Sequence, residues 1–333
     1  MSKIDPTKTK MLRERFERDL RKRFNRVRSA IVTLIVRQDV FGMATSEPLV
    51  NTKWKARTSD KKLKLFQEWL NKQVGKEFSN EEYWEQYIKE AYNKGGSNAY
   101  NATRKGAKAT ATNPDQLAFY EGGRQEFLAS AFNTPASKEK VKLMASRVFT
   151  DLQGVNEAMS TQMTRVLTDG MINGENPRKL AAKLVKAVDG IGKNRAMTIA
   201  RTETIRVHAE GQLDAFAVLG VEELGVMTEW DTANDDRVCK LCVPLDGITV
   251  SPKEARGMIP RHPNCRCAWI PANVGEDKSA QKRGKRARAA MDKSVGKEIP
   301  ASATRSVATQ KRKSPWQGAS KKIGKPHKDI LDD

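Results

Sequence analysis

The sequence lacks a long apolar stretch and is poor in aromatic residues, histidine and cysteine. Aromatic residues make up 6% of the 333 residues, and the chain has three histidines and four cysteines. The longest apolar run, at 30–36, contains a threonine and is far shorter than the ~18–20 residues that span a bilayer. The N-terminal residues do not have the pattern of a secretory signal. We therefore expect a soluble intracellular protein with no membrane partner.

Acidic residues are fewer than basic ones, and the imbalance is concentrated at the two ends of the chain. There are 61 Lys and Arg against 40 Asp and Glu, which gives a net charge of +21. Residues 1–38 contribute +8 and residues 278–333 contribute +11. Single-sign blocks at chain ends are typical of solvated arms that meet polyanions. This charge pattern therefore favours nucleic acid over a membrane as the binding partner. The alternative is that the basic ends only keep the protein soluble.

Apolar spacing predicts a mainly α fold, extended and helical at the N-terminus. A stripe along 9–38 predicts one long amphipathic helix, and its apolar face needs a partner surface. We take Phe16, Leu20 and Phe24 as anchors for docking on another protein. Further helices are predicted from residue 59 onward, but the glycine-rich residues 95–115 are interpreted as a connection or a flexible excursion. Other predicted features are a loop at 40–58, a helix from Asn176 that ends at Gly190 and Gly192, a helix at 193–219, β-like runs at 226–230, 248–250 and 268–270, and a short helix at 278–292.

All four cysteines fall in one short stretch, which also contains a histidine. A C-x-x-C turn is followed about twenty residues on by an H-P-N-C-R-C run, and such turns present ligands for tetrahedral Zn²⁺. The candidate ligands for a structural zinc ion are Cys239, Cys242, His262, Cys265 and Cys267. Five candidates compete for four positions. Reduced thiols packed in a core, or redox or catalytic thiols, are the alternatives.

Little in the sequence points to catalysis. Arg201, Glu203, Arg206, His208 and Glu210 form a polar cluster on a predicted helix, with spacings for intrahelical ion pairs. We expect His208 to be a structural or surface residue. A metal-dependent nuclease would need more histidine or aspartate ligands close together than this sequence offers. The sequence also lacks the Gly-rich phosphate loop that is typical of nucleotide-binding enzymes. We therefore expect no catalytic residues and no small-molecule substrate.

The basic C-terminal segment offers phosphate contacts without a framework that could read bases. We expect it to bind DNA backbone without sequence preference. The candidate residues are Lys282, Arg283, Lys285, Arg286, Arg288, Lys311, Arg312 and Lys313.

Several motifs occur in a recognisable order. They are Ala200-Arg201-Thr202-Glu203, Gly211, Trp230, Asp236-Arg237-Val238-Cys239, Cys242, Leu245-Asp246-Gly247 and His262-Pro263-Asn264-Cys265-Arg266-Cys267. This order resembles the Mu F-like head morphogenesis proteins, the minor head proteins of tailed bacteriophages and prophages. The resemblance implies a virion component present in few copies near the portal vertex, which assists head assembly. It also implies portal, capsid and scaffold proteins as partners, and contact with packaged DNA in some members.

We therefore predict a mainly α protein with a small α+β C-terminal metal-knuckle module and a disordered basic tail. The predicted parts are a basic amphipathic helix at 1–40, a helical region at 41–136, a Mu F-like domain at 137–276 with its knuckle at 239–267, and the tail at 277–333. The expected function is that of a minor head protein, located in the inner head and, during assembly, in the host cytoplasm. The alternative is a non-specific nucleic-acid-binding protein with a structural zinc module.

Overall fold

The computed structural model describes residues 5–41, 59–110, 123–219, 227–272 and 278–294. This part of the chain is mostly helical, with a small sheet near its C-terminal end, so the predicted fold class is confirmed. None of its helices is long and apolar enough to cross a membrane. Most of the predicted loop at 40–58, and the tail beyond residue 294, lie outside the described residues.

Long helices account for most of the secondary structure. The helices are α1 (Lys10–Val32), α2 (Ser59–Phe78), α3 (Glu81–Thr110), α4 (Arg124–Phe132), α5 (Pro135–Ile172), α6 (Pro177–Ala187), α7 (Asn194–Val218), α8 (Pro252–Ala255) and α9 (Lys278–Ser294). A π-helical segment follows α1 at Thr33–Arg37, and another follows α6 at Val188–Lys193. The strands are β1 (Thr228–Asp231), β2 (Thr249–Val250) and β3 (Ala268–Pro271). They form an antiparallel sheet in the order β2-β1-β3, with Trp230 opposite Trp269.

The chain divides into two compact units, each discontinuous in sequence. The first unit comprises Met1–Leu12, Tyr87–Lys142 and Arg201–Asp333, and the second comprises Arg13–Gln86 and Leu143–Ala200. The domain boundaries expected from the sequence, at 40, 136 and 276, stay a prediction.

The apolar stripe of α1 lies in the interior of the second unit. Phe16, Leu20 and Phe24 are 0%, 0% and 1% exposed. The ring of Phe16 lies 5.7 Å from that of Trp84, and the ring of Phe24 lies 4.7 Å from that of Phe78. The amphipathic helix is confirmed, but the docking role of its three anchors is wrong. Aromatic side chains of the same chain already cover this face, so a partner protein cannot contact it.

Residues 95–110 of the glycine-rich segment are not a connection, because α3 continues through them to Thr110. Residues 111–115 lie outside the described part of the chain. In the first unit α3 and α7 touch at two glycines. A Cβ atom added to Gly95 would lie 2.1 Å from His208 O, and one added to Gly211 would lie 2.2 Å from Tyr92 O. These glycines allow two helix backbones to approach each other closely, a use that composition does not distinguish from a flexible loop.

Gly190 and Gly192 also do not end a helical segment. The predicted helix start is confirmed, since Asn176 caps α6 by accepting the Arg178 N–H at 2.9 Å. After α6, however, the chain continues through the π-helical segment directly into α7. Gly192 is buried in the second unit, where an added Cβ would lie 2.8 Å from both Phe24 and Met159. Its small size serves packing rather than chain reversal.

Both outer edges of the small sheet are covered. The side-chain amide of Gln212 donates to Trp269 O at 2.7 Å and accepts the Trp269 N–H at 3.1 Å, which satisfies the free edge of β3. On the other side α9 packs against β2. A Cβ at Gly284 would lie 2.1 Å from Thr249 O, so a glycine allows this approach. An uncovered edge would instead offer unpaired backbone groups to other chains.

Candidate metal centre

The first turn of the cysteine cluster, Cys239–Cys242, is closed by backbone hydrogen bonds. The N–H groups of Cys242 and Val243 both donate to Cys239 O at 3.0 Å. Upstream, the N–H and hydroxyl of Thr232 donate to the Asp246 carboxylate at 2.9 and 2.8 Å. Asp246 thus fastens the end of β1 to the segment that follows the turn.

The second turn, His262–Cys265, has the same form. Its Cys265 N–H donates to His262 O at 3.1 Å. Asn264 has a φ of +61°, in the left-handed region that asparagine tolerates, and its N–H donates to Thr202 Oγ1 at 3.0 Å. His262 Nδ1 lies 2.7 Å from Pro263 O, which can only accept a hydrogen bond. Nδ1 therefore carries a proton, and Nε2 is the ring nitrogen that faces the cysteine sulfurs and could bind a metal.

The two turns bring all five candidate ligands together. His262 Nε2 lies 3.0 Å from Cys239 Sγ and 3.2 Å from Cys242 Sγ. Cys242 Sγ lies 3.9 Å from Cys265 Sγ, and the sulfurs of Cys242, Cys265 and Cys267 are within 4.8 Å of one another. The cysteines are buried and His262 is half-buried. These groups could hold a metal ion, and their sulfur and nitrogen atoms are the ligands that Zn²⁺ prefers.

The thiols and the imidazole of the cluster share protons. The hydrogen bond with Cys242 lowers the pKa of Cys239 to about 4, and the same bond raises the pKa of Cys242. Burial lowers the pKa of His262, but hydrogen bonds with Cys239 and Cys265 outweigh it and raise this pKa to about 10. Because metal ligands must be deprotonated, an ion bound between these atoms would displace the shared protons.

An ion pair outside the cluster joins the segment before the first turn to the residue after the second turn. The Arg266 guanidinium donates to both oxygens of Asp235, at 2.7 and 2.6 Å. This two-point contact with Arg266 holds the pKa of Asp235 below its usual value.

Comparison with known families identifies the part of the chain that contains this cluster. Residues 161–270 match the family described as Phage Mu protein F like protein, over about a third of the chain. This segment is Mu F-like. The resemblance inferred from the ordered motifs is thereby confirmed, and the family indicates phage head morphogenesis and a place in the virion. No curated protein and no solved structure is detectably similar to the chain.

The polar cluster on α7 lies within the Mu F-like segment and serves packing. Arg206 Nε donates to both carboxylate oxygens of Glu203 at 3.1 Å, the intrahelical pair that the spacing predicts. His208 is 0% exposed, and its Nε2 lies 2.9 Å from Asn98 Nδ2. The same amide nitrogen donates to Thr7 O at 2.9 Å. The expectation that His208 is a structural residue is confirmed.

A charged network that joins residues of the Mu F-like segment to Lys140 and Tyr92 outside it was not predicted from the sequence. Lys140 Nζ lies 2.7 Å from Asp214 and 3.2 Å from Glu210. Arg256 contacts the same two carboxylates at 2.7 and 2.8 Å, and Tyr92 donates to Asp214 at 2.5 Å. Burial raises the pKa of Asp214, but its hydrogen bonds with Lys140 and Tyr92 outweigh this and lower it. The spacing of Glu210 and Asp214 on one helix face is visible in the sequence, but their distant basic partners are not.

The basic residues of α9 divide into exposed and structural ones. Lys282, Lys285 and Arg286 are exposed. Arg288 instead donates to Glu254 O and Arg256 O at 2.9 and 2.6 Å, which joins α9 to the end of α8. It also pairs with Asp292 within α9 at 3.0 Å. Arg283 is exposed and lies 3.5 Å from Gly247 O. The other predicted DNA contacts, Lys311, Arg312 and Lys313, lie outside the described residues.

Proposed function

We propose that this protein is a minor head protein of a tailed bacteriophage, which associates with the portal and the inner capsid surface during head assembly. The observation that carries the proposal is the Mu F-like match over 161–270, which contains both turns of the cysteine cluster. Polar side chains of this segment serve as structural partners: Arg206 pairs with Glu203, Gln212 with the backbone of Trp269, and His208 with Asn98 on α3, outside the segment. We therefore assign the segment an assembly role without catalysis.

The cysteine cluster has the role of a structural Zn²⁺ site in this proposal. The residues that would hold the ion come from two turns, one in the connection between β1 and β2 and the other in the segment before β3. A metal bound there would link the segment after β1 to the segment before β3. The second turn is also held to α7, because the Asn264 N–H donates to Thr202. Zinc is expected to stabilise this module rather than to activate water, because the protein itself supplies a full set of four ligands.

Co-expression with the cognate portal protein tests the assembly role. We expect a complex that survives size-exclusion chromatography and whose mass gives a defined ratio of the two chains. The matched control is the major capsid protein of the same phage, co-expressed in the absence of portal, which separates portal binding from general affinity for head proteins. Absence of a portal complex, with both partners folded, would contradict the proposed portal association.

A second role, non-specific contact with packaged DNA, is favoured by the exposed basic side of α9. We expect the triple variant K282Q/K285Q/R286Q to bind duplex DNA more weakly. The slope of log affinity plotted against log salt concentration should be shallower by about 2.7, because each lost phosphate contact reduces it by about 0.9. Fluorescence anisotropy at several salt concentrations measures both quantities.

The control for this variant removes the same charge elsewhere. Lys64, Lys72 and Lys76 are exposed on α2, so K64Q/K72Q/K76Q lowers the net charge equally without touching α9. If both triple variants change the salt slope to the same extent, binding follows net charge alone and α9 is not a DNA contact surface. A slope unchanged in the α9 variant leads to the same conclusion.

A further inference from the structure

Two pairs among the five candidate ligands have matching local geometry. Cys239 and Cys242 are three positions apart, as are His262 and Cys265, and in each pair the N–H of the second residue donates to the carbonyl oxygen of the first, at 3.0 and 3.1 Å. Each turn therefore presents two ligand side chains on one side of a tight loop. Two such turns supply the four ligands of a tetrahedral site.

The distances place three of these ligands in one group and select the fourth. His262 Nε2 is within 3.2 Å of the sulfurs of both Cys239 and Cys242. The sulfur of Cys265 lies 3.9 Å from that of Cys242, close to the about 3.8 Å between two sulfurs bound to a tetrahedral zinc ion. Cys265 of the second turn thus contacts Cys242 of the first turn.

Cys267 differs from the other four in its position. It belongs to neither turn, and the ladder of β3 begins at the next residue, where Ala268 pairs with Asp231. Its sulfur lies within 4.8 Å of those of Cys242 and Cys265.

We infer that Cys239, Cys242, His262 and Cys265 coordinate the metal, and that Cys267 is a buried positioning residue outside the coordination sphere. Its thiol packs against the sulfurs of Cys242 and Cys265 and supports their orientation. This inference rests on the proposed metal site, and it narrows five candidates to one set of three sulfurs and one nitrogen.

X-ray absorption spectroscopy of the full-length zinc-loaded protein tests the ligand set without any substitution. We expect one zinc per chain, surrounded by three sulfurs at about 2.3 Å and one nitrogen at about 2.0–2.1 Å. A shell of four sulfurs would overturn the assignment while leaving the zinc site itself intact. A folded protein that binds no zinc would overturn both the assignment and the proposed zinc site.

Two alanine variants of the full chain distinguish Cys265 from Cys267. C267A should keep one zinc per chain and the same three-sulfur shell. Its affinity for zinc should fall by about 10–100-fold at most, which is typical when a residue that supports a metal ligand is lost. C265A should lose stoichiometric zinc, or leave a shell of two sulfurs and one nitrogen. A drop to two sulfurs in C267A would overturn the inference, and this comparison stands even if C265A does not fold.

Discussion

Removing the metal from the proposed zinc site in the Mu F-like segment is expected to unfold residues 228–271 while α2 remains folded. The effect should be large, because structural zinc supplies about 10–16 kcal/mol of apparent binding free energy. The three strands contain only 4, 2 and 4 residues, and so small a sheet has little stability without support. The two turns that carry the ligands connect to these strands, so they lose their common anchor when the metal leaves.

Hydrogen–deuterium exchange followed by mass spectrometry measures this effect segment by segment. A strong chelator should raise exchange in peptides covering 228–271, and re-addition of zinc should restore protection. The control is the same chelator saturated with zinc beforehand. If the metal-free protein keeps full protection across 228–271, the four cysteines are packed as reduced thiols, which is the alternative that the sequence left open.

Replacing Gly211 by alanine is expected to destabilise the protein by about 3 kcal/mol, at the upper end of the usual cost of overpacking. The new methyl group would meet Tyr92 O on α3 at 2.2 Å, and a backbone oxygen in a helix cannot move aside as a side chain does. The two helices must separate, which strains the contacts between α3 and α7. Urea-induced unfolding of the zinc-loaded protein gives the change in the free energy of unfolding.

Gly154 provides a matched control for that substitution. It lies inside α5, and a Cβ added to it would meet no atom within 4 Å. Here alanine should stabilise the protein by about 0.5–1 kcal/mol through helix propensity. Opposite signs at the two positions support the close helix contact, whereas equal changes at Gly211 and Gly154 would contradict it. G95A should resemble G211A, because Gly95 meets His208 O at 2.1 Å from the other helix.

The stripe on α1 shows how far hydrophobic periodicity reaches. The spacing of Phe16, Leu20 and Phe24 predicted both the helix and its apolar face correctly. It contained no information on what covers that face, because the covering rings of Phe78 and Trp84 lie more than fifty residues away in the chain. The same spacing is expected for a core helix and for a helix that docks on a partner.

The cysteine cluster shows a similar division. The C-x-x-C and H-x-x-C spacings indicated a metal site, because ligand geometry within a tight turn is a local property. All five candidate ligands were identified, but spacing alone did not separate Cys265 from Cys267. The inferred difference between them rests on the distance between Cys242 and Cys265, which lie on different turns, and on the start of β3.

Local patterns in the amino-acid sequence were sufficient for most helices, the three strands, both ligand turns and the Mu F-like resemblance. Each depends on residues that are neighbours along the chain, so periodicity and spacing encode it directly. Tertiary packing decided which apolar face is interior, which glycines permit backbone contact, and that Lys140 and Arg256 meet Asp214 on α7. These outcomes depend on which distant elements share a core, and the burial of all the apolar surface together selects that arrangement.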